Sequence, residues 1–254
     1  MAGTARPVVL ITGASSGIGE AVAERFAADA GGRWRLLLAG RDEGRLAAVA
    51  GRTHGVPLVA DLRDTTGAER LAATALEREG RVDVLVAAAG VGWAGPFARM
   101  PADAVEELVA VNLTAVMRLA RLLLPGMVAR DVGRVVMIGS MAGSVGVANE
   151  AVYAATKGGL LAFAESLRYE LAATRVRVAV VQPGAVATPF FAHRGVPYHR
   201  EHPRPVPAGR AADAVWRAVV RGREDLFVPA WLGLPARIHG AVPGFFRAMA
   251  KRFG

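Results

Sequence analysis

A tyrosine and a lysine stand four residues apart in the stretch YAATK, Tyr153 to Lys157. On a helix that spacing places both side chains on one face. An ammonium beside a phenol favours the phenolate and lowers a pKa that is otherwise about 10. The tyrosine then becomes a proton donor or acceptor near neutral pH. The choice of lysine is itself a signal, because Lys157 and Lys251 are the only lysines among 31 basic residues. Arginine would keep the charge, but its broad planar fork is a poor substitute for a compact ammonium. Taken alone, a Tyr-x-x-x-Lys is an ordinary surface pair on an amphipathic helix, so its neighbours decide the reading.

Other scarce residues fall in telling places. Asn112, one of two asparagines, lies inside the apolar run VAVNLTAVM, where an amide needs a reason. Of five serines, Ser15 and Ser16 belong to a glycine-rich loop, and Ser140 ends the strand-like run GRVVMIGS. By itself Ser140 reads as a hydroxyl capping a turn, and Ser166 has a local helix role.

The loop TGASSGIG, Thr12 to Gly19, follows one strand-like run and opens a helical one. Gly13, Gly17 and Gly19 permit a tight turn, and with Ser15, Ser16 and Ile18 they bring backbone amides close to a pyrophosphate at the helix N-terminus. The GxxxGxG spacing differs from GxGxxG, though the physical roles are alike. The second strand decides which dinucleotide fits. An acidic residue at its end serves a ribose hydroxyl, whereas a 2′-phosphate needs a cation. Here the strand ends Leu38–Ala39–Gly40–Arg41, with no carboxylate before the arginine. The reading is NADP(H) with Arg41 on the 2′-phosphate; the alternative is that Arg41 merely starts the next helix in solvent.

Seven short Val/Leu/Ile-rich runs start at Pro7, Trp34, Val56, Val82, Gly133, Val176 and Asp225. Near-continuous apolar content marks strands buried on both faces. Between them, GIGEAVAERFAADA, DTTGAERLAATALEREG and ADAVEELVAVNLTAVMRLARLLL carry the three- and four-residue spacing of amphipathic helices. The alternation predicts an α/β, doubly wound, seven-stranded parallel sheet with helices on both faces and right-handed crossovers. Residues 1–254 read as one dinucleotide-binding catalytic domain. A loop over about 188–207 is too irregular for an element, and a C-terminal appendage covers about 230–254.

No charge-free apolar run reaches the roughly 18 residues of a membrane helix. MAGTARPVVLITG passes straight into a strand, leaving no room for a signal peptide. Cysteine is absent, which excludes disulfides and thiolate metal sites and makes a cytoplasmic location the expectation. From His193 onward there are eleven Lys/Arg against four Asp/Glu, a balance of +7 out of the net +9. Such charge suits a phosphate-bearing substrate, an acidic carrier or a membrane surface; no nucleic-acid-binding module accompanies it. His193, His199 and His202 lack acidic or cysteine partners at ligand spacing, so no metal site is expected. Phe246, Met249 and Phe253 share one helical face of the tail, away from Arg247 and Lys251. Docking on the chain's own core or on a partner subunit is the preferred reading over peripheral membrane contact.

TGASSGIG, the strand-end Asp61–Leu62, Asn112, Ser140, YAATK and PGAVAT (Pro183 to Thr188) resemble, in this order and spacing, the short-chain dehydrogenase/reductase family over about residues 7 to 229. The resemblance implies a Rossmann fold and a tetrad of Asn112, Ser140, Tyr153 and Lys157. Tyr153 would act as general acid/base on the substrate oxygen and Ser140 would polarise that oxygen. Lys157 would lower the tyrosine pKa and hold the nicotinamide ribose, and Asn112 would hold a proton-relaying water. Asp61 would contact the adenine, and Val186 and Thr188, with Pro183 and Gly184, would fix the carboxamide; Leu62, Ala89 and Gly90 complete the cofactor site. One departure is visible: Ala87–Ala88–Ala89–Gly90 stands where the family carries an asparagine that supports the sheet. The implied function is hydride transfer between NADP(H) and a ketone or secondary alcohol. The substrate would be a small-molecule carbonyl or alcohol, and the chain a homodimer or homotetramer. Phe190 and Phe191 suit a hydrophobic ketone or serve as hinge anchors. The alternatives are a non-enzymatic NADP-binding sensor or interaction protein, and a reaction such as dehalogenation that dispenses with the nicotinamide.

Overall fold

The computed structural model describes residues 6–29, 32–198, 203–244, 246 and 248. Each of the seven apolar runs is a strand: β1 (Val8–Thr12), β2 (Arg35–Gly40), β3 (Val56–Val59), β4 (Val84–Ala87), β5 (Gly133–Ile138), β6 (Val176–Pro183) and, after a two-stranded accessory ladder of β7 (Val186–Ala187) and β8 (Val206–Pro207), β9 (Asp225–Val228). They form one parallel sheet in the order β3-β2-β1-β4-β5-β6-β9. The chain runs outward from β1 to β3, then returns to lay β4 against the other side of β1. That reversal opens a crevice at the carboxyl ends of the strands, where such sheets bind ligands.

Two layers of helices cover the sheet because successive strand residues face opposite sides. Val8 and Leu10 join the core under α3 (Gly67–Glu79), α5 (Ala115–Ala129) and α7 (Ala151–Glu170). Val9 and Ile11 join the core under α1 (Gly17–Ala27), α2 (Glu43–Thr53) and α9 (Ala208–Arg221). The remaining helices are α4 (Ala102–Val109), α6 (Met141–Val145), α8 (Phe190–His193) and α10 (Gly233–Ala241).

Three features depart from the sequence reading. The helix expected from Ala102 onward is interrupted by a π turn, Ala110–Thr114, which separates α4 from α5 and carries Asn112. The stretch Ala102–Ala129 is also long and apolar enough to cross a membrane by length and composition. Here, however, Val116, Leu119, Leu123 and Met127 pack into the core. The loop expected over 188–207 is not wholly irregular: it contains α8, and β8 pairs with β7 at its far end. Of the histidines named there, His193 closes α8 in solvent, while His199 and His202 lie outside the described residues. In the tail, Phe246 packs edge-on against His239 at 5.1 Å; Arg247, Met249, Lys251 and Phe253 lie outside the described residues.

Thr12, 1% exposed, resolves the departure at Ala87–Gly90. Its Oγ1 accepts hydrogen bonds from the amides of both Ala88 and Ala89 at 3.1 Å. A hydroxyl from β1 therefore satisfies donors released where β4 ends. Thr12→Val keeps the shape and leaves the Ala89 amide unsatisfied, while the Ala88 amide keeps its bond to the Val86 carbonyl. The expected loss is about 1–3 kcal/mol, read as a lower urea midpoint with unchanged slope.

Candidate active site

The carboxyl ends of the central strands line up, with Thr12 beside both Ala39 and Ala87, and Ile138 beside Val181. The segments that follow β1, β2, β4, β5 and β6 therefore leave the sheet at one edge. The glycine loop turns there into α1. Gly13 has φ 67°, and a Cβ on it would sit 2.7 Å from Ala89 Cα; one on Gly19 would sit 2.2 Å from the Gly13 carbonyl oxygen. Side chains are excluded, so bare backbone lines the groove at the start of α1, where Ser16 holds an extended conformation with no side-chain cap. A pyrophosphate fits such a cradle. Ile18 packs beside the core under α1, and Ser15 lies against Gly40 at the end of β2.

Beyond β2 and β3 four charges gather. Arg41 and Arg63 both approach Glu107 Oε1 at 3.9 Å. Arg63 also grips the Asp61 carboxylate through Nε at 3.0 Å, which with the Arg63 amide and the charge of Arg41 holds that carboxyl below its usual range. Arg63 was missed in the sequence; its signal was a cation two residues past the strand-end Asp61, beside Leu62, which packs on the core. The nearest carboxylate after Arg41, Asp42, is committed to capping α2 through the Arg45 amide at 2.9 Å.

Asn112 is fully buried. Its Oδ1 accepts from the Val91 amide and its Nδ2 donates to the Val91 carbonyl, both at 2.9 Å. Both polar ends of this side chain pin the segment after β4, and Nδ2 also reaches Thr156 Oγ1 at 3.4 Å. Asn112 Oδ1 and Lys157 Nζ both border Gly90, where a Cβ would lie 3.4 and 3.7 Å from them.

Ser140 stands between β5 and α6, and its Oγ accepts from the Ala142 amide at 3.1 Å. Its turn-capping role and its place in the site thus coexist. Tyr153, on the first turn of α7, is close enough to Ser140 for that hydroxyl to act on its acidity. Lys157, 4% exposed, donates from Nζ to the Ile138 carbonyl at 2.8 Å and lies 5.7 Å from the Tyr153 ring centre. On the far side Gly184 donates its amide to Val228 at 2.9 Å after Pro183 ends β6, Val186 is buried in β7, and Thr188 touches Gly17. The sequence also missed Gln182, a buried amide whose Oε1 accepts from Ser144 Oγ at 2.6 Å.

The electrostatics differ from the expectation that Lys157 lowers the tyrosine pKa. Burial pushes the Tyr153 phenol up to about 12, with Ser140 and Arg194 pulling it down and Glu150 pushing it further up. Burial also brings the Lys157 ammonium down to about 8. Nζ donates one of its hydrogens to the Ile138 carbonyl and lies 5.7 Å from the Tyr153 ring centre, and burial is the largest influence on both groups.

The comparisons with known proteins agree with this geometry. The family model for short chain dehydrogenase matches residues 7–196. A ketoacyl reductase, HetN, of Nostoc sp. is 37% identical over 186 residues, covering 70% of this chain and 63% of that protein. Among solved structures, a short-chain dehydrogenase from Sphingobium yanoikuyae in complex with NADPH superposes with a TM-score of 0.82 at 30% identity, covering 94% of this chain and 95% of the other. A short-chain dehydrogenase/reductase from Burkholderia phymatum in complex with NAD gives a TM-score of 0.81 at 25% identity, covering 92% and 93%.

A buried lysine without a carboxylate partner should be expensive to keep. For a base whose folded pKa is depressed, the unfolded chain binds more protons between the two values, so stability rises with pH there. The penalty is complete below about pH 8 and gone above the ordinary lysine value of 10.5. Lys157→Met is expected to stabilise the chain by about 1–2 kcal/mol at pH 7, with the gain shrinking as pH rises through that window; thermal melts across pH 6–10 check it. The chain belongs to the short-chain dehydrogenase/reductase family of oxidoreductases, on its fold, its motif order and the match over residues 7–196.

Proposed function

We propose that this chain transfers hydride between NADP(H) and a ketone or secondary alcohol, with Tyr153 as the general acid/base. The observation that carries the reading is the buried phenol of Tyr153 beside Ser140 at the carboxyl edge of the sheet, one turn from buried Lys157, whose Nζ lies 5.7 Å from its ring centre. A phenol at about 12 is fully protonated near neutral pH, the state needed to donate to a carbonyl oxygen. Bound nicotinamide would supply or accept the hydride. Tyr153 Oη delivers a proton to the oxygen as charge develops there. Ser140 Oγ accepts from Ala142, which leaves its own hydrogen for the same oxygen. Lys157, already facing the end of β5 and Gly90, would hold a ribose hydroxyl.

Selection of NADP(H) over NAD(H) rests on Arg41 and Arg63. Two guanidinium groups at the ends of β2 and β3 suit a phosphate dianion, and guanidinium–phosphate bonds are the strong, charge-assisted kind. Asp42, which would otherwise serve a ribose diol, is spent on the α2 cap. The HetN likeness makes ketoacyl compounds the first substrates to try.

Following NADPH and NADH oxidation over ketoacyl thioesters and aliphatic, aromatic and steroidal ketones should show turnover with a preference for NADPH. Tyr153→Phe is expected to lower kcat/KM by about 10²–10⁴-fold. Arg41→Ala should raise the NADPH KM by about 10–100-fold and leave that for NADH nearly unchanged. Binding without turnover on any substrate would favour the sensor reading, and absence of binding would overturn the cofactor assignment.

A further inference from the structure

Arg194, just past α8, is nearly buried although it lies in the segment expected to cover the substrate: its side chain is 9% exposed. Its NH1 pairs with the Glu150 carboxylate, itself 17% exposed. Its Nε donates to the Val196 carbonyl at 2.9 Å, and its guanidinium lies 4.7 Å over the Phe191 ring. Glu150 immediately precedes α7, three residues before Tyr153. The start of α7 is tied in turn to the segment after β4, where the Gly95 amide donates to the Asn149 carbonyl at 2.8 Å.

The same contact seats an aromatic ring on the site. Phe190 lies 5.5 Å from the Tyr153 ring. It fits because Gly92 has no side chain: a Cβ there would meet Phe190 Cζ at 2.6 Å and Arg194 Cβ at 3.1 Å. Three segments far apart in sequence therefore converge on one phenol, and the one ion pair among them joins the loop to the helix that carries Tyr153.

An exposed pair would contribute little. Here removal of either partner leaves an uncompensated charge in the wall of the site. The charges act on Tyr153 with opposite sign, Glu150 disfavouring the phenolate and Arg194 favouring it. The other polar groups facing Tyr153 are Ser140 from the end of β5 and Lys157 from α7 itself.

We propose that Glu150 and Arg194 are positioning residues whose ion pair docks the α8 segment on the start of α7, seats Phe190 over Tyr153 and balances two opposite charges beside the reacting hydroxyl. The pair acts through Tyr153 and Phe190 without touching the reacting atoms. It rests on the reading of Tyr153 as the proton donor.

The test uses the full chain and the variants Glu150→Gln, Arg194→Gln and Arg194→Lys. Limited chymotrypsin digestion reports loop docking without any activity, through cleavage after Phe190, Phe191 and Tyr198. Both glutamine variants should be nicked several-fold faster than wild type, and Arg194→Lys should fall between. With a ketone that turns over, kcat should fall by about 10–100-fold while NADPH binding is unchanged. The pH profile of kcat should separate the two glutamine variants. Its alkaline limb should move to lower pH in Glu150→Gln and to higher pH in Arg194→Gln, whereas a merely structural contact would move both alike. Unchanged nicking, or limbs that do not part in opposite directions, would overturn the proposal. Full turnover in Tyr153→Phe would instead remove the proton-donor reading, and the digestion would still decide whether the pair docks the loop.

Discussion

An ammonium held inside the protein against a single carbonyl is the constraint around which this site is arranged. Lys157 reaches from α7 to the last residue of β5, and that bond brings the helix bearing Tyr153 against the strand end bearing Ser140. The approach is possible only because the neighbours are small. A Cβ on Gly143 would lie 2.6 Å from the Lys157 carbonyl carbon, and Gly90 leaves open space in front of Nζ. The energetic consequence is a depressed ammonium pKa. Function and stability pull apart here, as they do where a site stores an unfavourable group for later use.

The phenol shares that environment and responds with the opposite shift, because burial disfavours whichever form is charged: ammonium for lysine, phenolate for tyrosine. The two groups, close in acidity when solvated, move apart to about 12 and about 8, and neither is ionised by the other. A protonated phenol suits donation. Lowering its pKa requires positive charge or hydrogen-bond donors close to Oη, and among the described residues Ser140 and Arg194 act in that direction. The loop that carries Arg194 is thus electrostatically part of the acid, although it lies forty-one residues away in sequence.

Much of this was legible beforehand because it depends on local pattern. Buried parallel strands have near-continuous apolar runs, and all seven were found where Val, Leu and Ile cluster. Tyr153 and Lys157 share a face because the helix period dictates it. The misses depend on contacts between distant segments or on geometry with no periodic signature. Thr12 reads as one more strand residue until the sheet order lays β1 beside β4 and its hydroxyl meets Ala88 and Ala89. The π turn adds one residue to a helical turn without disturbing the apolar pattern enough to see. Asn112 was found by its oddity, an amide in an apolar run, but its partner Val91 could be named only once β4 and the turn were adjacent. Arg194 looked like one arginine among several in an irregular stretch; only the fold gives it Glu150.

The charges at the other end of the crevice follow a different logic. Asp61, Arg63, Glu107 and Arg41 are all substantially exposed, so their mutual attraction is screened and stabilises the fold little. What the cluster does is orient. Asp61 fixes Arg63 through Nε and the backbone amide, and Nη1 of that guanidinium is the end that approaches Glu107. Glu107 stays at 3.9 Å from both arginines, beyond hydrogen-bond distance. A phosphate dianion for the proposed cofactor would therefore displace no direct bond to engage them. In the Tyr153 wall the opposite holds: the Glu150–Arg194 bond is direct and nearly dry, so disturbing it is costly. One end of the crevice is built for exchange with solvent and the other for a fixed arrangement, and the difference lies in burial rather than in the kinds of residue used.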